Sequence, residues 1–153
     1  MSILRFSVKN EVFKIDTKDC EDGSHTGPDG TIFWIKNGMI HRDDGPARVT
    51  TYGTKQWYVN DKLHRMDGPA VESVGHKAWW FNGIMHRDDG PVYESGYTAS
   101  TYKTGTKIWG CMGQLHRLDG PAIEQQDGTK KYFIYDVEYT PEEFELAVIK
   151  LKG

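Results

Sequence analysis

The 153-residue chain lacks the features that mark secreted scaffolds and membrane proteins. Its two cysteines, Cys20 and Cys111, lie far apart and outside any Cys-x-x-Cys motif, so the sequence predicts no disulfide framework and assigns neither thiol a role. No segment approaches the roughly 20 consecutive apolar residues that cross a bilayer, and the first residues carry no signal-peptide core. We therefore expect a cytoplasmic protein without a membrane partner.

The chain also lacks an excess of basic charge. Its 19 Lys and Arg residues are outnumbered by 22 Asp and Glu residues, which gives a formal net charge of -3. Partners such as nucleic acids or anionic membranes need clustered Lys and Arg, so neither class is favoured. With 37% hydrophobic and 27% charged residues, the composition is typical of one globular domain and excludes a disordered chain.

The short motifs that accompany common catalytic sites are missing as well. The sequence contains no Gly-x-Ser-x-Gly, no phosphate-binding loop, no Gly-x-Gly-x-x-Gly and no His-Glu-x-x-His. Its Asp-Gly pairs lack the spacing of a calcium-binding loop. We therefore expect a protein that is not an enzyme and that holds no cofactor.

What the chain does contain is one six-residue motif, His-Arg-x-Asp-Gly-Pro, in four copies. The copies begin at His41, His64, His86 and His116, each 11 residues after a glycine. The intervals are 23, 22 and 30 residues, so about eight residues, 95–102, are inserted in the third unit. Repeats of about 20 to 50 residues form arrays in which each unit buries its apolar face against its neighbours, and function then lies on the array surface.

Each unit has the pattern of a β-hairpin. Aromatic and β-branched residues precede a two-residue turn, which in the third unit is Asn82-Gly83, a pair typical of type I′ turns because both positions need positive φ. A second turn follows at Asp-Gly-Pro, where we expect the glycine to supply positive φ and the proline to fix the next residue. Stacked hairpins predict one long antiparallel sheet that advances about 10 Å per unit.

Both ends of the predicted array have an element of their own. Residues 1–24 predict an N-terminal hairpin, which precedes the repeats over residues 25–139. Residues 140–152 predict a helix, because Thr140 and Glu143 form a capping box around a proline. Its apolar face consists of Phe144, Ala147, Val148 and Leu151. The predicted fold class is therefore mainly β, a single-domain array of stacked antiparallel β-hairpin repeats with a C-terminal capping helix.

The hairpin unit of 22 to 23 residues resembles MORN repeats, particularly a variant type with an Asn-Gly turn and a Gly-Pro after the second strand. The sequence His-Arg-x-Asp-Gly-Pro-Ala and the ending Tyr139 to Phe144 are similar to repeat proteins of bacteriophages and large DNA viruses. The resemblance covers roughly residues 25 to 150. It implies a scaffold or interaction module in the host cytoplasm, including antitoxin-like roles. Trp109-Gly110 in the fourth unit and the insertion depart from the pattern.

The repeated His, Arg and Asp residues allow a structural and a binding interpretation. Equivalent residues of successive hairpins should lie about 10 Å apart, whereas ligands of one zinc ion lie within about 4 Å of each other, so no metal site is expected. In the structural interpretation each arginine pairs with the aspartate two residues on or one unit over, and each histidine packs at the turn. In the alternative, a basic stripe binds a phosphate or carboxylate. The stripe consists of His64, Arg65, His86, Arg87, His116 and Arg117.

Two columns of residues recur before the hairpin turn. The first is aromatic in every unit and is predicted to form the core: Trp34, Trp57, Trp79, Trp109 and Tyr132. The second is variable and is predicted to face the other side of the sheet. In that column Gly110 is expected to leave a side-chain-sized gap next to the insertion. The candidate partner-binding residues are Tyr58, Trp80, Tyr97, Tyr102, Gly110 and Phe133.

Two functions of different classes follow from the sequence. The first is a non-enzymatic protein, virus-encoded as the resemblance implies, that binds and inhibits or neutralises a host protein in a counter-defence or antitoxin-like role. The second is a protein that binds or sequesters a small anionic ligand such as a nucleotide signal, with aromatic stacking and arginine contacts. A structural virion component is a third alternative. The sequence names neither the partner nor the oligomeric state.

Overall fold

The computed structural model describes residues 5–9, 12–96 and 105–153, with the backbone alone for residues up to 15. The strands are β1 Arg5–Lys9, β2 Val12–Asp16, β3 Gly23–Thr26, β4 Ile32–Lys36, β5 Met39–Ile40, β6 Arg48–Val49, β7 Lys55–Gln56, β8 Tyr58–Val59, β9 Lys62–Leu63, β10 Val71–Ser73, β11 His76–Ala78, β12 Trp80–Phe81, β13 Ile84–Met85, β14 Tyr93–Ser95, β15 Lys107–Ile108, β16 Gly110–Cys111, β17 Gln114–Leu115, β18 Ile123–Glu124, β19 Lys130–Ile134 and β20 Val137–Tyr139. The helix α1 is Pro141–Lys152. The protein is mainly β with antiparallel strands and a C-terminal helix, which confirms the predicted fold class.

Most strands belong to one antiparallel sheet that runs along the array. Its order is β3-β4-β6-β7-β10-β11-β14-β15-β18-β19-β20, with β5 paired to β4. In the second unit, β7 and β10 pair with Gln56 opposite Val71. The same ladder continues into the third unit, where Val71 lies opposite Ala78. Neighbouring units are therefore joined by backbone hydrogen bonds between the strand after Gly-Pro and the next arm.

The arms of the second, third and fourth units are not the continuous strands that the pattern predicts. In the second unit the arm is interrupted at Trp57, between β7 and β8. The Trp57 N–H donates to the Ala70 carbonyl at 2.9 Å, and the Trp57 carbonyl accepts from the His64 N–H at 3.0 Å. The two halves of the arm thus pair with separate segments, one after and one before the Asp-Gly-Pro turn. The hairpins β8-β9, β12-β13 and β16-β17 are therefore two-stranded ribbons outside the central sheet.

The hairpin turns have the positive φ that the sequence predicts. Asn82 and Gly83 have φ values of 50° and 81°. Positive φ also occurs in the equivalent pairs Asn37-Gly38, Asn60-Asp61, Met112-Gly113 and Tyr135-Asp136. The second turn residue donates its N–H to the preceding unit, as Gly83 does to the Leu63 carbonyl at 2.8 Å. Each ribbon is therefore bonded to its neighbour through its turn.

The core of the array is thin. The residue after each Gly-Pro is buried, with an exposure between 0% and 3%, at Ala47, Ala70, Val92 and Ala122. Larger apolar clusters lie towards the ends. One contains Cys20, Phe33 and Ile35, and the other Ile134, Phe144 and Val148. Because the buried positions between them are small, each unit depends on contacts with its neighbours.

Helix α1 packs against the last strands of the sheet, as predicted. The Thr140 hydroxyl accepts from the Glu143 N–H at 3.3 Å and the Glu143 carboxylate accepts from the Thr140 N–H at 3.0 Å, so the capping box is present. Phe144 and Val148 are buried against the sheet. Leu151, predicted to lie on the same face, is 59% exposed because it lies in the last turn, beyond the buried pair.

Two predicted features fall on residues outside the described ranges: most of the insertion, with Tyr97 and Tyr102, and the tip of the N-terminal hairpin. The strands of that hairpin are described and pair antiparallel, with Arg5 opposite Asp16. Within the described ranges, no helix has the length and apolar content needed to cross a membrane.

Candidate functional site

Each motif folds into a loop around its own arginine. These are loop 1 (residues 41–46), loop 2 (64–69), loop 3 (86–91) and loop 4 (116–121). In loop 2 the Arg65 guanidinium carbon lies 4.0 Å from the centre of the Trp57 ring. Its Nε donates to Asp67 at 2.9 Å, and one Nη donates to the Pro69 carbonyl at 3.2 Å.

The other three loops repeat this arrangement, here termed the arginine stack. Guanidinium-to-ring distances are 4.2 Å for Arg42 and Trp34, 4.1 Å for Arg87 and Trp79, and 3.9 Å for Arg117 and Trp109. A cation over an indole ring and charge-assisted hydrogen bonds to carboxylates are both favourable, so the arginine stack holds each loop on its arm. The predicted pairing of arginine with the aspartate two residues on is confirmed.

The glycine of Asp-Gly-Pro has a different role from the predicted one. Gly45, Gly68, Gly90 and Gly120 do not adopt positive φ. A Cβ atom added at Gly68 would lie 3.0 Å from the Arg65 guanidinium carbon, and one at Gly90 would lie 2.8 Å from that of Arg87. Glycine therefore leaves room for the guanidinium, which a Cβ atom would crowd at 2.8–3.2 Å in the four loops.

The arginine stack also keeps the loop carboxylates ionised. Hydrogen bonding to Arg65 lowers the pKa of Asp67, and the equivalent bonds to the other arginines lower the pKa values of Asp44, Asp89 and Asp119. In loop 1, hydrogen bonds from His41 and then from Lys36 lower the pKa of Asp43 to about 2. The carboxylates project into solvent, whereas the arginine side chains lie mostly covered. The outer surface of the loops is therefore acidic.

Each histidine connects its loop to the hairpin turn of the next unit. The Nδ1 atom of His64 accepts from the Asn82 N–H at 3.2 Å, and that of His116 accepts from the Tyr135 N–H at 3.3 Å. His41 and His86 make the same contact with Asn60 and Met112. The predicted packing of the histidines at turns is confirmed, with the turn belonging to the following unit.

The six residues proposed as an anion-binding stripe are thus all part of the loop framework. Arg65, Arg87 and Arg117 direct Nε to the loop aspartate, and one Nη of each lies near a glutamate on the following strand. A phosphate or carboxylate ligand would have to compete with these internal partners, and its binding stays a prediction. Among the described residues, no group of three or more His, Cys, Asp and Glu side chains is placed to hold a metal ion.

The four tryptophans of the aromatic column predicted to form the core lie instead beneath the arginine stacks, and Tyr132 packs against Phe144 of α1. The members of the column, Trp34, Trp57, Trp79, Trp109 and Tyr132, are all only half-buried. The core positions are those that follow Gly-Pro. The prediction was wrong for the tryptophans, because each indole ring is covered on one face by the arginine of its own loop and stays partly exposed.

The second column, proposed as the partner-binding face, is largely covered as well. Tyr58, Trp80 and Phe133 are half-buried, and burial raises the pKa of the Tyr58 hydroxyl. The Trp80 indole N–H is buried without a hydrogen-bond partner. Tyr97 and Tyr102 lie outside the described residues. The column therefore offers little apolar surface to a partner.

Gly110 does not leave the gap predicted from its missing side chain. A Cβ atom there would lie 2.8 Å from the Gln114 carbonyl oxygen and 3.4 Å from a methyl group of Val92. In the other three loops the residue at the Val92 position is alanine. The larger Val92 and the nearby backbone thus fill the space that a side chain at Gly110 would need.

An open groove of about 750 Å³ lies between loops 2 and 3, and it is the candidate binding site. Here termed the interloop groove, it is lined by Met66 of loop 2, Trp79 and Phe81 of the third unit, and Met112 of the fourth. Met66 is 84% exposed, Met112 62% and Phe81 40%. Exposed apolar side chains that converge in one depression mark an interaction surface more often than scattered ones do.

Charged groups of the two loops surround this apolar floor. Asp67, Asp88 and Asp89 line the groove and are exposed. Arg65 and Arg87 line it too, but their guanidinium groups are paired with Asp67 and Asp89. The groove therefore presents apolar contacts within a rim of ion pairs, in which the carboxylates are the more exposed partners.

Sequence reasoning missed this groove, although the signal was present. Met66 occupies the variable position of the motif, where loops 1 and 3 have Asp43 and Asp88 bonded to the histidine Nε2. Met112 occupies a turn position at which the first three units have asparagine. Met66 in loop 2 and Met112 in the fourth unit are therefore exposed apolar residues at positions where these other units have polar ones.

Comparisons with protein-family models, with curated proteins and with solved structures return no match to this chain. The fold and the interloop groove alone define the class of protein, which is a mainly β array of hairpin repeats with an apolar surface groove.

The steric role of glycine in the loops predicts a coupling between Gly68 and Arg65. We expect Gly68→Ala to lower the free energy of unfolding by about 1–3 kcal/mol, the usual effect of overpacking, because the new Cβ displaces the guanidinium. In the Arg65→Ala background the same change should cost much less, since nothing is displaced. Denaturant unfolding of the four proteins measures the coupling. An equal cost in both backgrounds would show that backbone conformation, not the arginine, requires the glycine.

The His116 contact predicts a pH-dependent contribution to stability. Burial lowers the pKa of His116 below its unfolded value, so the contribution is fully present above about pH 6.5 and is lost as the pH falls through the folded pKa. Protonation also removes the acceptor for the Tyr135 N–H. The difference in unfolding free energy between the natural protein and His116→Asn should therefore shrink from pH 7.5 to pH 5. A constant or growing difference would contradict this assignment.

Proposed function

We propose that this chain is a non-enzymatic binding protein whose interloop groove binds a protein partner. The observation that carries the proposal is the convergence of Met66, Phe81 and Met112, all exposed, over one groove of about 750 Å³. Burial of exposed apolar side chains is the main favourable term in protein association. Phe81 packs against the His64 ring, with 4.7 Å between the ring centres, and still keeps 40% of its surface exposed.

The polar residues of the repeat support a binding role over a catalytic one. Arg, Asp and His of each motif bond to one another, to the arm or to the next unit. A nucleotide or other anionic ligand would need the guanidinium groups that the loop aspartates already occupy. A protein partner would leave these arginine–aspartate pairs intact, because it would contact the apolar floor of the groove.

The resemblance to viral repeat proteins extends the proposal to the identity of the partner. It implies a host protein, which this chain would bind and inhibit in a counter-defence or antitoxin-like role. Such inhibition requires only that the bound array cover a functional surface of its target, and an array of rigid hairpins provides an extended surface of that kind.

Removal of the apolar floor tests the proposal. Immobilised protein should retain a stoichiometric partner from a lysate of its natural host, and the isolated pair should bind in titration. Met66→Asp combined with Met112→Asp should weaken that binding by about tenfold or more, since two exposed apolar contacts are replaced by charges. Both side chains are exposed, so folding should be unaffected, which circular dichroism and thermal unfolding can verify.

The matched control is Val74→Asp. Val74 is an apolar residue that is 83% exposed, as Met66 is, but it lies outside the interloop groove. Val74→Asp should bind the partner like the natural protein. The proposal is wrong if no stoichiometric partner is retained, or if the partner binds the groove variant and the Val74 variant equally well.

A further inference from the structure

The last strand of the array, β20, has no described strand on its outer side. It ends the order of the central sheet and pairs with β19. In the four preceding units the carbonyl before the histidine accepts the N–H of the second turn residue of the next unit, as the Leu63 carbonyl does from Gly83 at 2.8 Å. The equivalent carbonyl of the fifth unit is that of Glu138, and no described residue donates to it. The array therefore ends in an open strand edge.

The free backbone groups of this edge belong to Glu138. In antiparallel strands the groups of alternate residues point to opposite edges. The residue after Glu138 corresponds to His64, whose N–H donates to the Trp57 carbonyl of its own arm, so both groups of Glu138 point outward. The N–H groups of Asp136 and Thr140 already donate to the fourth unit and to the helix cap. An incoming strand is thus offered one donor and one acceptor, both on the same residue.

A residue with both groups free can pair with the same residue of a second copy. The two members of a hydrogen-bonded antiparallel pair exchange both N–H···O bonds, so a two-fold axis beside Glu138 gives two such bonds. Two-fold dimers with self-complementary interfaces are the commonest oligomers. The two Glu138 carboxylates would lie side by side, and each already has an ion pair with Lys131 of its own copy at 3.4 Å.

Helix α1 lies at the distance from the edge that this pairing needs. It packs on both β19 and β20. With strands about 4.8 Å apart, the middle of one β19–β20 hairpin would lie about 10 Å from the middle of the other. Helices in direct contact have axes about 8–10 Å apart. The two copies of α1 would therefore pack against each other over the joined strands.

The two-fold axis would also pass beside the middle of α1. Phe144 packs against Tyr132 at one end of the β19–β20 hairpin, and Val148 clusters with Ile134 near its turn. Glu138 lies in the row between these two levels. The part of α1 that meets its copy is therefore the part between residues 144 and 148.

The side of α1 that faces the open edge carries complementary charges. Glu145 and Ile149 line the depression beside loop 4, so the opposite side of the helix, with Glu143, Ala147 and Lys150, faces away from the array. In an antiparallel helix pair that meets at the small Ala147, each Glu143 lies opposite Lys150 of the other copy. Both charged side chains are exposed in the single chain. Such complementarity fixes the register of an interface.

We propose that the C-terminal end of the array binds a second copy of this chain, through antiparallel pairing of the two β20 strands and of the two α1 helices. The dimer continues between two molecules the strand pairing that joins the units within one molecule. It also covers Val137, which is 54% exposed on the helix side of the open edge. The interface goes beyond the proposed function and does not involve the interloop groove.

Analytical ultracentrifugation over a range of concentrations measures the dimer. The natural protein should show a reversible monomer–dimer equilibrium. Lys150→Glu should raise the dissociation constant about tenfold, because both contacts with Glu143 become repulsive. The matched control is Lys152→Glu, which makes the same charge change two turns after Glu145, on the side of the helix near loop 4, and should dimerise like the natural protein. A monomer at every concentration, or equal effects of the two variants, would overturn the inference.

Cysteine cross-linking tests the strand register. Directly opposite residues of a hydrogen-bonded pair have Cα atoms about 5.5 Å apart, which is within disulfide range. In a Cys111→Ser background, where the remaining Cys20 is buried, Glu138→Cys should form an intermolecular disulfide with oxidised glutathione. The control is Lys131→Cys, similarly exposed but three strand spacings, about 14 Å, from its copy. If the control cross-links as readily as Glu138→Cys, the copies do not meet at β20 and the inference is wrong.

The dimer is separable from the groove. Met66→Asp combined with Met112→Asp should leave the dissociation constant of the dimer unchanged, whereas Lys150→Glu should leave binding of the groove partner unchanged. Melting temperatures verify that each variant is folded. If the groove variant dissociates the dimer and Lys150→Glu does not, the second copy binds in the groove and the inference is overturned.

Discussion

The structure depends on one interaction, the arginine held between a tryptophan ring and a glycine. The guanidinium lies about 4 Å from the indole ring in each of four units and hydrogen-bonds to an aspartate and a carbonyl of its own loop. A partly buried cation–π contact contributes about 0.5–2 kcal/mol, and hydrogen bonds to charged groups are stronger than neutral ones. The motif His-Arg-x-Asp-Gly-Pro is thus a folding unit, in which every fixed residue has a structural partner and the variable position is free to change.

The fixed residues of the motif build the array, whereas the variable residues determine which side chains its surface presents. The core positions after Gly-Pro are mostly alanine, so the loops and their arginines carry much of the packing that larger side chains provide elsewhere. At the end of the array, where the fifth unit has no motif, Phe144 of α1 lies against Tyr132 in place of an arginine. Units differ at the variable position and at the hairpin turns, among other places. Met66 and Met112 are two such differences, and both lie in the interloop groove.

Features that depend on residues close together in the sequence could be predicted, whereas features that depend on residues brought together by the fold could not. The turn at Asn82-Gly83, the capping box at Thr140 and the pairing of arginine with the aspartate two residues on are local, and they were predicted correctly. The role of Gly68 was missed, since it depends on a guanidinium placed by an arm tryptophan eight residues earlier. Gly110 was misread for the same reason, because Val92 and the Gln114 backbone fill the space in three dimensions. The interloop groove combines residues of three units, so comparing the units one at a time does not bring Met66 and Met112 together.

The central claim is that the arginines of the motif build the fold. Thermal unfolding of a variant with Arg65→Lys and Arg87→Lys tests it most directly, because lysine keeps the charge but loses the planar stack and the bidentate geometry. For a chain of this size each kcal/mol of lost stability lowers the melting temperature by roughly 2–4 °C, so a fall of about 5 °C or more is expected. An unchanged melting temperature together with lost partner binding would contradict the account and would assign the arginines to a binding surface.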